Sequence, residues 1–280
     1  MIHASLLEDR AVLALGGAGA GDFLQGLITN DMAACVDGRA VYATLLTPQG
    51  KILFDFFVIP EGKDRLLIDC AAVRAADLLK RLTLYRLRAK VEISLRPELA
   101  VAALWSDGAA AEISHGVVSF ADPRHPVLGL RAIGTRDVLA RTLSGCGTGD
   151  YQAHRLSLGI PDSADLMPDS VFALDAGLEE LNGVSFKKGC YIGQEVTARM
   201  KHRATARRRF VIAEANGTLP SFGTSLDSGG RELGTLASGL NGMALALVRL
   251  DRLAEAQENH LPITAAGRAI TLRKPGWFRG

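Results

Sequence analysis

The sequence predicts an α+β protein that ends in a small β-barrel, and two patterns along the chain indicate this fold class. The first hundred residues read as short strands and two helices in the order β-α-β-β-β-α-β, with the helices on one face of a largely antiparallel sheet. After Arg209 the chain changes to short strands punctuated by glycine- and proline-containing turns, as in a barrel of about 70 residues.

An N-terminal α+β module is predicted over residues 1–96. It opens with a strand, a glycine-rich turn and a helix, for which Asp22 stands in the N-cap position. A β-hairpin follows around Pro48-Gln49-Gly50. The predicted strands of the module are 11–15, 41–46, 52–59, 65–69 and 90–95, and its second helix is 71–85.

Three further segments complete the predicted organisation. Residues 97–149 form a second α+β unit with strands 99–105, 117–120 and 128–133, a helix over 136–143 and a linker over 144–149. Residues 150–206 are a middle segment, and residues 207–280 are the barrel.

Composition excludes several classes of protein. With 48% hydrophobic and 22% charged residues, the chain is neither disordered, collagen-like nor a coiled coil. No apolar run reaches the roughly 18 to 20 residues that a membrane-spanning helix needs, and the first residues lack a secretory pattern, so we expect no membrane partner. The four cysteines form no Cys-x-x-Cys pair, which favours a reducing compartment.

Positive charge is concentrated in residues 187–209, called here the basic band. This stretch holds eight of the 32 lysine and arginine residues but only one of the 30 acidic residues, a net charge of +7, which leaves −5 for the rest of the chain. A solvated basic face and a binding site for a polyanion are the two interpretations.

The chemically richest stretch lies at the start of the basic band. Lys187 and Lys188 precede Cys190 and favour its thiolate form, the form that attacks electrophiles and binds soft metals. Gly189 and Gly193 leave the backbone open to a ligand. Gln194 and Glu195 can read the donor and acceptor edge of a heterocycle. The alternative is a strand–turn–helix joint with geometric glycines and a buried cysteine.

Tyr151 and Arg155 open the middle segment. Tyr151 has two interpretations, either an aromatic ring that stacks on a ligand beside Arg155, or a core residue of an amphipathic helix with Leu156 and Leu158.

The stretch from Lys187 to Arg199 resembles the signature of the YgfZ-type folate-binding proteins, a branch of the glycine-cleavage T-protein (aminomethyltransferase) superfamily. The resemblance extends over most of the chain. Its other parts are Phe23-Leu24-Gln25-Gly26, Thr29-Asn30-Asp31, residues 46–51, Arg155 with Gly159-Ile160-Pro161, residues 182–186 and residues 245–251.

The resemblance implies a T-protein-like three-lobed ring with a central cavity for tetrahydrofolate or a derivative. It implies a role in iron–sulfur cluster assembly or repair, and through it in tRNA thiomethylation. Cys190 is then the functional thiol with Lys188 beside it, and the basic band attracts the glutamate carboxylates of folate. Asp175 stands where many members carry a pterin-binding glutamate. The implied folate-binding residues are Tyr151, Arg155, Asp175, Lys187, Gly189, Tyr191, Gln194, Glu195 and Arg199.

Two mechanisms suit Cys190. It can ligate iron or a cluster transiently, with the remaining ligands supplied by a client protein or assembly factor, or it can accept a one-carbon or persulfide group near the folate. No resident metal site is predicted. The implied location is the bacterial cytoplasm or, for an organellar protein, the mitochondrial matrix.

Two other functions compete with this interpretation. A folate-dependent aminomethyl- or methyltransferase needs a carboxylate near the pterin. The nearest candidate in this sequence is Asp77, which is displaced by about one position relative to the superfamily pattern. An RNA-binding role for the basic band is disfavoured because aromatic residues for base stacking are few there, so we expect no direct contact with nucleic acid.

Overall fold

The computed structural model describes residues 2–106, 115–143, 147–148, 150–203 and 206–279. In chain order, its first ten strands are β1 (Ile2–Leu6), β2 (Arg10–Gly16), β3 (Val41–Leu46), β4 (Ile52–Pro60), β5 (Arg65–Ala71), β6 (Glu92–Leu95), β7 (Leu99–Ser106), β8 (Val118–Ala121), β9 (Leu130–Thr135) and β10 (Gly147–Thr148).

Seven further strands follow, namely β11 (Arg208–Glu214), β12 (Ser225–Ser228), β13 (Arg231–Leu240), β14 (Met243–Arg249), β15 (Ile263–Ala265), β16 (Arg268–Ala269) and β17 (Thr271–Arg273). The helices are α1 (Ala20–Gln25), α2 (Ala75–Arg86), α3 (Arg136–Leu143), α4 (Tyr151–Ser157), α5 (Gln194–His202) and α6 (Leu250–Glu258). Within the described residues, no helix is both long enough and apolar enough to cross a membrane.

The first sheet has the strand order β3-β4-β5-β2-β6 and is antiparallel throughout. The predicted hairpin is confirmed, with Gly50 at a φ of +82° in its turn. The predicted cap at Asp22 is wrong. Helix α1 begins at Ala20 after Gly19, because the turn closes early through the hydrogen bond from Ala20 N to Gly17 O, and Asp22 lies inside the first helical turn.

The second sheet has the order β10-β1-β7-β9-β8. Strand β1 was not predicted, and it pairs with β7 from the second unit rather than with the first sheet. The N-terminal end of the chain therefore crosses the boundary that the sequence suggested at residue 96. Within the predicted linker, Gly147 and Thr148 pair with β1, whereas residues 144–146 and 149 lie outside the described residues.

The third sheet has the order β16-β15-β12-β13-β14-β11-β17 and nearly closes into the predicted barrel. Residues 158–193 connect α4 to α5 mostly by turns. This stretch reaches the first sheet through a β-bridge between Lys51 and Phe172. One hydrophobic cluster includes residues of every segment, with Phe57, Trp105, Tyr151 and Phe210 among its largest members.

A group of buried charges, called here the ionic core, lies at the meeting point of the segments. Asp69 of β5 is fully buried between two arginines, with its carboxylate oxygens 2.6 Å from Arg10 Nε and 2.7 Å from Arg131 Nη1. Arg131 lies on β9 of the second sheet, so this carboxylate joins two sheets. Burial of a charge is tolerated where it is paired and hydrogen-bonded, as it is here.

Asp122 extends the ionic core within the second unit. It binds Arg124 through both carboxylate oxygens, at 3.0 and 2.8 Å, and it also lies 3.0 Å from Arg131 Nε. Burial by itself raises the pKa of Asp122, but the two arginines outweigh that effect and lower this pKa to about 2. Phe57 covers the cluster, with the guanidinium of Arg131 4.1 Å from its ring centre.

We expect the substitution Asp69→Asn to lower the free energy of unfolding by about 3 to 5 kcal/mol, because it leaves Arg10 and Arg131 buried without a full counter-charge. Urea denaturation followed by circular dichroism measures the change. The control is Glu8→Gln, which breaks an exposed bidentate pair with Arg136. The control should change stability far less, because exposed pairs contribute little. Equal losses from both variants would contradict a structural role for the ionic core.

Candidate functional site

The loop formed by residues 187–193, called here the signature loop, lies within the middle segment and leads directly into α5. The side chain of Cys190 is exposed on this loop, and so is Gly189. An exposed cysteine at this position differs from the buried packing residue that the sequence left open as an alternative. Its thiol is accessible to a reagent, a metal ion or another protein.

Lys188 holds the signature loop against the first module. Its Nζ donates hydrogen bonds to the carbonyl oxygens of Gln25, the last residue of α1, at 2.6 Å, and of Ile28, three residues later, at 2.5 Å. The ammonium also lies 5.0 Å from the ring centre of Tyr191. Burial lowers the pKa of Lys188 to about 8, while the charge of Asp31 opposes this effect. The side chain is therefore engaged with the N-terminal module.

Two glycines allow the loop to contact the hairpin turn. Gly193 has a φ of +80°, and a Cβ atom there would lie 2.5 Å from the carbonyl oxygen of Thr47. A Cβ on Gly50 would lie 2.8 Å from the Cβ of Val196 in α5. The turn of the hairpin and the start of α5 are thus in backbone contact. Gly193 is therefore needed for the close backbone packing, whereas a Cβ at Gly189 would meet nothing within 4 Å.

The remaining signature residues make local contacts. Gln194 Oε1 accepts a hydrogen bond from the Tyr191 backbone at 3.2 Å and so stabilises the turn before α5. Glu195 pairs with Arg199 one helical turn later at 2.6 Å, and both side chains are exposed. Tyr191 is buried. These residues shape the loop and its exposed face, and their predicted contacts with folate stay predictions.

Tyr151 and Arg155 lie on α4 and point into the protein. The hydroxyl of Tyr151 is 3.0 Å from Arg124 Nη2, which joins this residue to the ionic core. Arg155 is fully buried and donates to Asp165 at 2.9 Å and to Ser238 of the barrel at 2.7 Å. Tyr151 thus has the core position that the sequence left open, and both side chains fasten the middle segment to its neighbours.

Asp175 faces a cavity of about 320 Å³ between the middle segment, α5 and the barrel, called here the Asp175 pocket. Its Oδ1 accepts a hydrogen bond from the backbone of Arg208 at 3.4 Å. Burial raises the pKa of Asp175, and the backbone contact with Arg208 and the charge of Arg209 act in the opposite direction. The other residues that line the pocket are Phe172, Val196, Met200, Arg207, Arg208 and Arg249.

A second cavity of about 700 Å³, called here the three-lobe cleft, opens where the first module, the second unit and the middle segment meet. Lys187 is the one predicted site residue in its lining. The other lining residues are Asn30, Ala34, Gly38, Arg39, Ala40, Val41, Ala121, Pro123, Glu179, Asn182, Val184, Ser185 and Phe186. The predicted site residues are therefore divided between two cavities, the signature loop, helix α5 and the buried charges around the ionic core.

Asp77 does not line either cavity. It lies in the first turn of α2 at 3.5 Å from Arg74, with 68% of its side chain exposed. The aminomethyltransferase alternative gains no support from this placement. In the described part of the chain, no three side chains of the metal-ligating types converge on a common point.

We expect Gly193→Ala to destabilise the protein by at least about 1 to 2 kcal/mol, because an alanine pays a steric penalty in the left-handed region and its Cβ would meet Thr47 O. Gly189→Ala is the matched control, since the same methyl group enters open space. Thermal unfolding of both variants measures the difference. A Gly193→Ala protein as stable as the control would show that the hairpin and α5 are not held in contact.

Known proteins are similar to this chain over nearly its whole length, and a known domain family is similar to its last segment. Residues 207–280 match the family described as the CAF17 C-terminal beta-barrel domain. The glycine cleavage system aminomethyltransferase T from Bartonella henselae has a similar structure, with a TM-score of 0.80 and 17% sequence identity. That likeness covers 99% of this chain and 86% of the other. It confirms the predicted T-protein-like α+β fold with its C-terminal barrel.

Two curated relatives carry the same description, mitochondrial iron-sulfur cluster assembly factor IBA57. The mouse protein (Mus musculus) is 33% identical over 277 residues, and the human protein (Homo sapiens) is 33% identical over 276 residues. Each match covers 88% of this chain and 77% of the relative. With this identity over most of both sequences, the chain belongs to the IBA57 family of iron–sulfur cluster assembly factors.

Proposed function

We propose that this chain assists the assembly or repair of iron–sulfur clusters, that it binds a reduced folate, and that Cys190 is its functional thiol. The main observation that supports this proposal is the exposure of Cys190. Burial raises the pKa of Cys35 to about 11 and that of Cys70 to about 12, so both remain protonated thiols at neutral pH. Among the cysteines in the described residues, Cys190 alone is exposed, and thiolates are the usual ligands of a cluster.

In this proposal Cys190 ligates iron or a cluster only while the cargo passes to a client protein. Clusters are usually held by four ligands, so a single cysteine leaves positions for the ligands of a partner. Transient binding suits an assembly factor because the cargo has to leave. Lys188 and Gly193 act as positioning residues, since they hold the signature loop against α1 and the hairpin.

The Asp175 pocket is the proposed subsite for the pterin ring. A carboxylate can accept hydrogen bonds from the amino and ring N–H groups of a pterin, and Phe172 and Met200 supply apolar walls. A volume of about 320 Å³ suits the bicyclic end of folate rather than the whole molecule. Arg207 and Arg208 of the basic band would attract the glutamate carboxylates outside the pocket. Bound reduced folate would supply a nitrogen that carries one-carbon units.

The proposed role in cluster assembly also concerns tRNA modification and the location of the protein in the cell. Effects on tRNA thiomethylation would be indirect and would depend on the iron–sulfur enzymes that receive clusters. Location in a mitochondrial matrix is supported by the description of the two relatives as mitochondrial, while a bacterial cytoplasm is the other expectation.

We expect Cys190→Ser to leave folding intact and to abolish the restoration of iron–sulfur enzyme activity in cells that lack the native protein. Serine keeps the size of the side chain but ligates soft metals poorly. Cys35→Ser is the matched control and should restore activity, because Cys35 is partly buried with its thiol 3.5 Å from Val58 O. Full rescue by Cys190→Ser at normal thermal stability would remove this thiol from the mechanism.

Asp175→Asn should weaken the binding of tetrahydrofolate at least about tenfold, equivalent to about 1.4 kcal/mol, because one acceptor oxygen becomes a donor. Asp169→Asn makes the same change at a side chain that is 63% exposed and lies outside the pocket. Isothermal titration calorimetry compares both variants with the wild-type protein. Unchanged affinity in Asp175→Asn would remove the pterin from this pocket, and absence of binding to the wild-type protein would refute the folate proposal as a whole.

A further inference from the structure

The walls of the three-lobe cleft are fastened together by side-chain amides. Asn30 Nδ2 donates to the carbonyl oxygen of Asn182 at 2.7 Å, which joins the first module to the middle segment. Asn182 Nδ2 in turn donates to the carbonyl oxygen of Pro123 at 2.9 Å, which adds the second unit. The cleft is therefore already formed in the folded chain, so that an occupant would not have to order its walls.

The lining of the cleft combines apolar surface with positive charge. Val184 and Phe186 are apolar, and Phe186 is 41% exposed. The lining acid, Glu179, is neutralised by Lys201 at 2.5 Å. Arg39 and Lys187 are exposed, and neither side chain forms an ion pair with another residue in the described part of the chain. An occupant that complements this surface is both apolar and negatively charged.

The cleft also adjoins the thiol. Lys187 precedes Cys190 by three residues, and three residues span at most about 11 Å even when fully extended. A polypeptide that passes Lys187 therefore comes within reach of Cys190. Because the proposed function needs further cluster ligands from another protein, the missing thiolates must arrive on a chain that docks near this loop.

We propose that the three-lobe cleft docks an extended, acidic and apolar segment of the protein that completes the coordination of the cluster at Cys190. The inference rests on the proposed function, but it concerns a different surface from the Asp175 pocket. Arg39 and Lys187 recognise the carboxylates of the segment, and Phe186 packs against an apolar side chain between them. The cleft thereby determines which proteins approach the thiol.

Phage-displayed random decapeptides, selected on the wild-type protein, test this inference. The expected peptides carry net negative charge around at least one large apolar residue, and they bind Arg39→Glu and Phe186→Ala at least tenfold more weakly. Arg88→Glu is the matched control, because it reverses the charge of another exposed arginine of the same module outside the cleft. Binding to this control should equal binding to the wild-type protein.

Failure to select peptides, or equal binding to all variants, would overturn the inference. Displacement of the peptides by saturating tetrahydrofolate would also overturn it, because the cleft would then belong to the folate. Arg39→Glu should keep its affinity for tetrahydrofolate and lose the ability to restore iron–sulfur enzyme activity, and full rescue would contradict the docking role. Since Cys190→Ser should still bind the peptides, failure of the thiol mechanism is distinguishable from failure of the cleft.

Discussion

The sharing of Arg131 between two buried carboxylates is the constraint on which the arrangement of the chain depends. Asp69 belongs to the first sheet and Asp122 to the second unit, and each lies within 3.0 Å of this guanidinium. A charge in the interior is tolerated only with its partners in place, so the two sheets have one favourable relative position. Arg124 binds the hydroxyl of Tyr151 and so positions the middle segment against the same cluster. Arg155 of the middle segment binds Ser238 and so positions the barrel. The two cavities and the signature loop lie between elements that these contacts fix.

Much of the secondary structure could be predicted because it is encoded locally. The hairpin has two mostly apolar strands around a turn with glycine, and Gly50 adopts the positive φ that favours this residue. The ionic core could not be predicted in this way, since Asp69 pairs with single charged residues that lie 59 and 62 positions away along the chain. Strand β1 was missed for a related reason, because its partner β7 begins more than ninety residues later.

The sequence predicts only part of the candidate site, because it reveals residues that are close along the chain and not those that folding brings together. The signature loop has a compact pattern of lysines, glycines and a cysteine, so sequence alone indicates it. The Asp175 pocket draws Phe172, Met200 and Arg249 from separate elements, and no local pattern connects them. Tyr151 and Arg155 have residue types that suit a ligand, yet the same types suit a buried polar network.

The division of the ionic core along the chain has a consequence during synthesis on the ribosome. Asp69 and Arg10 can pair as soon as β2 and β5 have emerged, but Arg131 follows Asp69 by 62 residues. At translation rates of about 5 to 20 residues per second, this delay lasts about 3 to 12 s. During that interval Asp69 has only one of its two arginine partners, and the nascent first sheet has an apolar face that the other segments do not yet cover. Chaperones that hold emerging chains would therefore meet this protein at a defined point, before the second sheet is complete.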